Sequence, residues 1–261
     1  MRRSARPGRR DADAPSIAGG LYDKMDVVQP GAVLFDLDGT LTASGPGITR
    51  SVAAALNALG LPPLDETALL RFIGPPLLDS FRDIAGLDEV TTLEAMAVYR
   101  GYFVEYGMFE NAVYPGIPGL LRELVDAGRR LAVATSKPLP YAVPIIEHFA
   151  LADYFEAVFG PAIDGDGTEK GDVVAQALDS LHVDLDDVVL VGDRSHDVVG
   201  AHENGIACIG AFWGYGSREE LAAAEALAAD VDELAELLGV RPAASRPAVL
   251  DQVTGGDDAF A

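Results

Sequence analysis

The chain has 261 residues, 49% of them apolar, which is enough to bury one large core or a core with an insert. Its 41 acidic residues against 19 basic ones give a formal net charge of −22, and five of the arginines fall in the first ten residues, leaving −27 on the other 251. A surface of that sign repels nucleic-acid backbones and anionic membranes, so neither is expected as a partner, and an anionic substrate has to be drawn in by a local feature such as a bound divalent cation.

Cys208 is the only cysteine, so no intrachain disulfide can form; in Ile-Ala-Cys-Ile it reads as a small buried hydrophobe in a reducing compartment. No apolar run reaches the roughly 18 residues of a membrane span. The arginine-rich start lacks the apolar stretch of a secretory signal, which makes the cytoplasm the expected location.

Residues 1–30, rich in Arg, Ala, Pro, Gly and Asp, are expected to be disordered, with Met25 an alternative start of translation. Ala32-Val33-Leu34-Phe35 is a short apolar run that stops at Asp36. Residues 46–111 then read as helices only: Gly47 to Leu59, Asp65 to Phe72, Leu77 to Ala85 and Glu89 to Tyr106. Pro118 can open a helix that stops at Gly128. Leu131-Ala132-Val133-Ala134 ends in Thr135-Ser136. Pro144 makes the helix ending near Phe149 kink or start late.

Further apolar runs follow at Ala157–Phe159, Val188–Val191 (ending in Gly192-Asp193) and Ile206–Ile209. Ser217 with Glu220 has the form of a capping box for a helix through Ala229, and residues 241–261 read as a flexible tail. Short continuous apolar strands alternating with helices predict an α/β fold with a doubly wound parallel-sheet, Rossmann-like core, here residues 31–45 and 112–240. The helical block 46–111 is expected to be an inserted all-helical cap over the carboxyl edge of the sheet.

Ligands of open parallel sheets bind outside the carboxyl ends of the strands. Three of those ends present Asp36, Thr135 and Asp193, with Asp38 and Asp197 close by. Asp36 and Asp38 lie two apart on nearly extended chain and can project to one side, with Gly39 allowing a sharp turn. Four carboxylates on so acidic a chain fit a solvated rim, or a hard-cation site with oxygen ligands suited to Mg²⁺.

The motifs resemble those of the haloacid dehalogenase-like hydrolase superfamily in its phosphatase form. They are Asp36-Leu37-Asp38-Gly39-Thr40-Leu41, Thr135-Ser136-Lys137, Lys170 opening a helix, and Gly192-Asp193-Arg194-Ser195-His196-Asp197, in that order within residues 31–240. The likeness is to phosphoglycolate-phosphatase-like and nucleotidase-like members with a small helical cap. It implies that Asp36 is the nucleophile that becomes an aspartyl-phosphate, and that Asp38 is the proton donor and acceptor. Mg²⁺ would be held by Asp36, Asp193 and the carbonyl of Asp38, and Asp197 would orient metal-bound water or pair with Lys170. Thr135 and the N–H groups around Ser136 and Gly39 would hold phosphate oxygens, with Lys170 neutralising charge. One departure is Glu169, where the family often has a further basic residue; Lys137 is the substitute for Lys170.

The implied substrate is a small phosphorylated metabolite. A sugar phosphomutase uses the same aspartates, and a non-catalytic phosphoacceptor or binding module gathers similar groups. Gly74-Pro75-Pro76 resembles the family's substrate-facing loop, and Arg50, Arg71, Arg82 and Arg100 are the basic residues of block 46–111. Phe72, Phe81, Tyr99, Tyr102 and Phe103 read as interior of that block. Arg194 is expected to pair with local acids, and Trp213-Gly214-Tyr215-Gly216 to pack under the site or seal it.

Overall fold

A computed structural model describes residues 29–163 and 169–241; the expected disordered segment 1–30, save its last two residues, and the tail after 241 lie outside them. Six parallel strands form one sheet in the order β3-β2-β1-β4-β5-β6: β1 Ala32–Phe35, β2 Arg130–Ala134, β3 Ala157–Phe159, β4 Val188–Gly192, β5 Ala207–Ala211 and β6 Ala226–Ala228.

Both faces are covered, as the continuous apolar runs require. In β1, Val33 and Phe35 join one apolar cluster and Ala32 and Leu34 the other, the period-two alternation of a strand. On the Val33 side lie α5 (Ile117–Asp126), α6 (Leu139–His148) and α9 (Val231–Leu237); on the Leu34 side lie α7 (Lys170–Leu181) and α8 (Ser195–Glu203). Strand order reverses at β1, which pairs with β2 in Val33↔Leu131 register and with β4 in Val33↔Val189 register. The switch point is therefore the end of β1, where Asp36 begins.

Between β1 and β2 the chain forms α1 (Gly45–Ala58), α2 (Glu66–Leu70), α3 (Leu77–Asp83) and α4 (Glu89–Tyr102), closed by a π turn at Phe103–Gly107. Asp65 and Asp88 cap α2 and α4, accepting the N–H groups of Ala68 and Thr91 at 2.8 Å each. Phe72, Phe81, Tyr99 and Phe103 are buried in an aromatic chain: Phe72–Phe81 5.2 Å edge-on, Phe81–Tyr99 6.3 Å edge-on and Tyr99–Phe103 5.6 Å stacked. Phe103 carries that chain to Tyr141 of α6 at 5.4 Å, while Tyr102 lies outside it, against Tyr106.

One expectation changes. The capping-box bonds form, Ser217 N–H to Glu220 at 2.9 Å and Glu220 N–H to Ser217 at 3.2 Å, yet no helix follows. The chain turns and becomes β6, because Ala226–Ala228 completes the edge of β5 in Ile209↔Ala226 register and Leu221 is buried. Tertiary pairing outweighs the helix propensity of an alanine-rich run. Pro144 also sits inside α6, which starts at Leu139 and so does not start late. No described helix is long and apolar enough to cross a membrane.

Candidate active site

Asp36, Asp38, Thr135, Lys170, Asp193 and Asp197 come together at the carboxyl ends of β1, β2 and β4, and none is more than 7% exposed. The ladder sets their places: Asp36 donates its N–H to Val191 at 2.9 Å, and Thr135 donates its own to Phe159 at 2.9 Å. Lys170 opens α7 and places its Nζ 2.6 Å from Asp36 Oδ1 and 2.6 Å from Asp197 Oδ1. Asp197 stands in the first turn of α8, where its Oδ2 accepts the N–H of Arg194 at 3.0 Å. Asp193 accepts the N–H of Tyr215 at 2.7 Å and the hydroxyl of Thr40 at 3.4 Å.

Asp36, Asp193 and Asp197 offer oxygens within 4.8 Å of one another. Three carboxylates against the single ammonium of Lys170 leave two negative charges in a buried site, a balance that a divalent cation with oxygen preference restores. The backbone leaves room for the Asp193 carboxylate: Gly39, at φ +90°, and Gly214 pass so close to Asp193 that a Cβ on either would strike it. The donor set thus fits Mg²⁺.

Electrostatics point the same way. Burial pushes Asp36 up to about 6 against the pull of Lys170, with Asp197 and Asp38 adding to the rise. Asp193 stands well above the ordinary carboxylate range, through burial first and then Asp197 and Asp36, with the Tyr215 N–H and Arg194 opposing. Burial disfavours the charge of Lys170, but Asp197 and Asp36 hold its pKa above the usual lysine value. These carboxylates resist ionising together because burial and their mutual repulsion outweigh the pull of Lys170 and Arg194.

Asp38 faces elsewhere. Its Oδ2 lies 2.6 Å from Lys137 Nζ, its Oδ1 is buried without a partner among the described residues, and Lys137 sits 5.0 Å from the centre of the Phe103 ring. The two lysines are thereby sorted: Lys170 pairs with Asp36 and Asp197, Lys137 with Asp38. Beyond Asp38 and Lys137 opens a cavity of about 120 Å³ walled by Phe72, the Gly74–Leu78 stretch, Tyr99, Phe103 and Tyr141, with Ser136 at its base. Arg100 lines it and donates to the Ile163 carbonyl at 2.9 Å, whereas Arg50 pairs with Glu110, and Arg82 with Asp79 and Asp83.

Three placements go beyond what the sequence alone decided. The N–H of Gly39 is turned to the Thr42 carbonyl at 2.8 Å, so Gly39 supplies clearance for Asp193 rather than a free donor. The Trp213–Gly216 loop packs under the site: Trp213 Nε1 donates to the Thr40 carbonyl at 3.1 Å, and the Tyr215 hydroxyl accepts the N–H of Gly45 at 2.7 Å. The alternating glycines 214 and 216 were its signal, since both lie against Asp193. Lastly, Lys137 holds Asp38, a pairing that no spacing rule links.

A doubly wound sheet with buried carboxylates and lysines at its switch point defines a protein of the α/β class. Residues 33–211 match the family model described as haloacid dehalogenase-like hydrolase, and the chain belongs to that family. It is 47% identical over 191 residues to a 5'-nucleotidase of Pseudomonas aeruginosa, covering 73% of this chain and 86% of that protein. It is 42% identical over 215 residues to the tyrosine-protein kinase PtkA of Mycobacterium tuberculosis, covering 81% and 73% respectively. Among solved structures, a predicted phosphatase from Clostridium acetobutylicum superposes with a TM-score of 0.76 at 47% identity, covering 79% of this chain and 97% of that one.

Proposed function

We propose that this chain is a Mg²⁺-dependent phosphatase that hydrolyses a small phosphate monoester, phosphoglycolate-like or a nucleoside monophosphate, through an aspartyl-phosphate on Asp36. The observation that carries the reading is the division of the β1 pair: Asp36 faces Lys170, Asp193 and Asp197, while Asp38, two residues on, faces Lys137 and the cavity. Two carboxylates in separate environments can take separate roles.

An oxygen of Asp36 attacks phosphorus as the ester P–O bond breaks, and protonated Asp38 gives its proton to the leaving oxygen. Water then attacks the phosphorus of the aspartyl-phosphate, Asp38 takes the proton, and Asp36 is released with inorganic phosphate. Asp36, Asp193 and the Asp38 carbonyl would hold Mg²⁺, which when bound offsets the repulsion between carboxylate and phosphate. Lys170, held by Asp197, neutralises a phosphoryl oxygen and keeps Asp36 oriented. The Thr135 hydroxyl and the N–H groups near Ser136 hold further phosphate oxygens. Residues 46–111, which hold α2–α4 and all of α1 but its first residue, act as the cap over a core of residues 31–45 and 112–240, and the cavity they share with α6 receives the rest of the ester.

The relative named as a tyrosine kinase favours one other reading: the phosphoryl group on Asp36 passing to a tyrosine hydroxyl instead of water. p-Nitrophenyl phosphate turnover with Mg²⁺, with EDTA and by Asp36→Asn tests the first reading. The expected results are turnover with Mg²⁺, its loss in EDTA, and a fall of at least roughly 10³-fold in Asp36→Asn. Robust turnover by that variant would remove Asp36 as nucleophile. Phosphotyrosine formed from ATP without phosphate release would favour the second reading, and isomerised sugar phosphate a mutase.

A further inference from the structure

Arg194 lies inside the Gly192–Asp197 run, yet its side chain leaves the carboxylate cluster. It is 7% exposed, and its backbone N–H is fixed by Asp197. From there the side chain crosses to the helical block, where Nη1 donates to the carbonyl of Ile73, while Nη2 lies 3.0 Å from Oε1 of Glu220, in the turn before β6. Gly74, at φ +105°, passes over the aliphatic stem so closely that a Cβ there would lie 2.8 Å from Arg194 Cγ. Ile73 is fully buried, and its neighbours Phe72, Gly74, Pro75 and Pro76 form a wall of the cavity beyond Asp38. One guanidinium therefore joins the loop that carries Asp193 to the loop that would meet the substrate. Only a forked donor reaches both a carbonyl and a carboxylate in this way.

We propose that Arg194 is a positioning residue that holds the Phe72–Pro76 wall at a set distance from the Asp193 loop, and thereby selects which phosphate compounds are held in register with Asp36. The inference rests on the phosphatase reading for its substrate but on the Ile73 and Glu220 contacts for its geometry. An ester whose organic part reaches the wall depends on Arg194; a substrate too short to reach it does not. Arg194 touches no reacting atom, so its loss alters selection more than the chemical step.

The test compares kcat/KM for p-nitrophenyl phosphate, whose ring would enter the cavity, with that for acetyl phosphate, at saturating Mg²⁺. Arg194→Met is expected to lower the ratio of the two about 10-fold, the scale of one charge-assisted hydrogen bond. Arg194→Lys, with charge but no fork, should restore only part of it, and Glu220→Gln should shift the ratio the same way by less. An unchanged ratio, or an equal fall for both substrates, overturns the proposal. Amide hydrogen exchange over residues 72–78 gives a second readout that needs no turnover: exchange should quicken in Arg194→Met and, more weakly, in Glu220→Gln. Should Arg194→Met not fold, Glu220→Gln decides alone, because its side chain is 31% exposed and lies outside the core. A wild-type protein that cleaves neither compound sinks the phosphatase reading, whereas a loop that exchanges equally fast with and without Arg194 sinks this one.

Discussion

At the scale of residues, the site is a problem of charge in a buried place. Lys170 touches two of three clustered carboxylates, so Lys170→Met leaves their charge uncompensated. The metal-free variant should lose about 3–5 kcal/mol of stability, the usual scale for stranding one partner of a buried pair. Urea denaturation should show a smaller loss at pH 5 than at pH 8, because protonation relieves the stranded carboxylates; an equal loss at both would mean that Lys170 contributes packing rather than charge. A related prediction concerns Mg²⁺. In the metal-free protein burial pushes Asp36 up to about 6 and holds Asp193 well above the ordinary carboxylate range, so as pH falls they take up protons that a cation must displace. Mg²⁺ binding at pH 6 should release protons, seen by calorimetry in buffers of different ionisation enthalpy, and affinity should weaken as pH falls. Affinity that is flat between pH 5 and 8 would exclude these carboxylates as ligands.

At the scale of elements, the strand ends were legible because each apolar run stops abruptly at a polar residue: Phe35 before Asp36, Ala134 before Thr135, Gly192 before Asp193. Local pattern carried that information. It could not carry β6, whose alanines become a strand only because β5 offers an unpaired edge, nor the sorting of Lys137 from Lys170, which depends on where α6 and α7 place them. Long reaches such as Arg194 to Ile73, spanning 121 positions, leave no trace in sequence spacing. The helical block was legible by periodicity, and its aromatic chain makes a prediction. Phe81 is fully buried between Phe72 and Tyr99, so Phe81→Ala should destabilise the protein by about 3–5 kcal/mol in urea denaturation. A change under about 1 kcal/mol would show that the block collapses around the cavity without loss.

At the scale of the whole molecule, a net charge of −22 opposes every anionic substrate that approaches. Screening shortens from roughly 30 Å to 10 Å between about 0.01 M and 0.1 M salt. With Mg²⁺ kept saturating, KM for a phosphate monoester should therefore fall over that range, and a KM that rises would mean that local cations, not the global field, govern capture. The positive groups at the site, Lys137, Lys170 and Arg194, are buried beside their acids rather than displayed. The fold gathers at one switch point what the surface lacks, with Asp36 turned to the cluster and Asp38 to the cavity.

That division is tested most directly by trapping. Asp38→Asn, incubated with Mg²⁺ and p-nitrophenyl phosphate, quenched in acid and mapped by mass spectrometry, should carry one phosphoryl group on Asp36 while turnover falls by roughly 10²–10⁴-fold. A phosphoryl group on any other residue, or near-normal turnover with Asp36 never modified, would contradict the account.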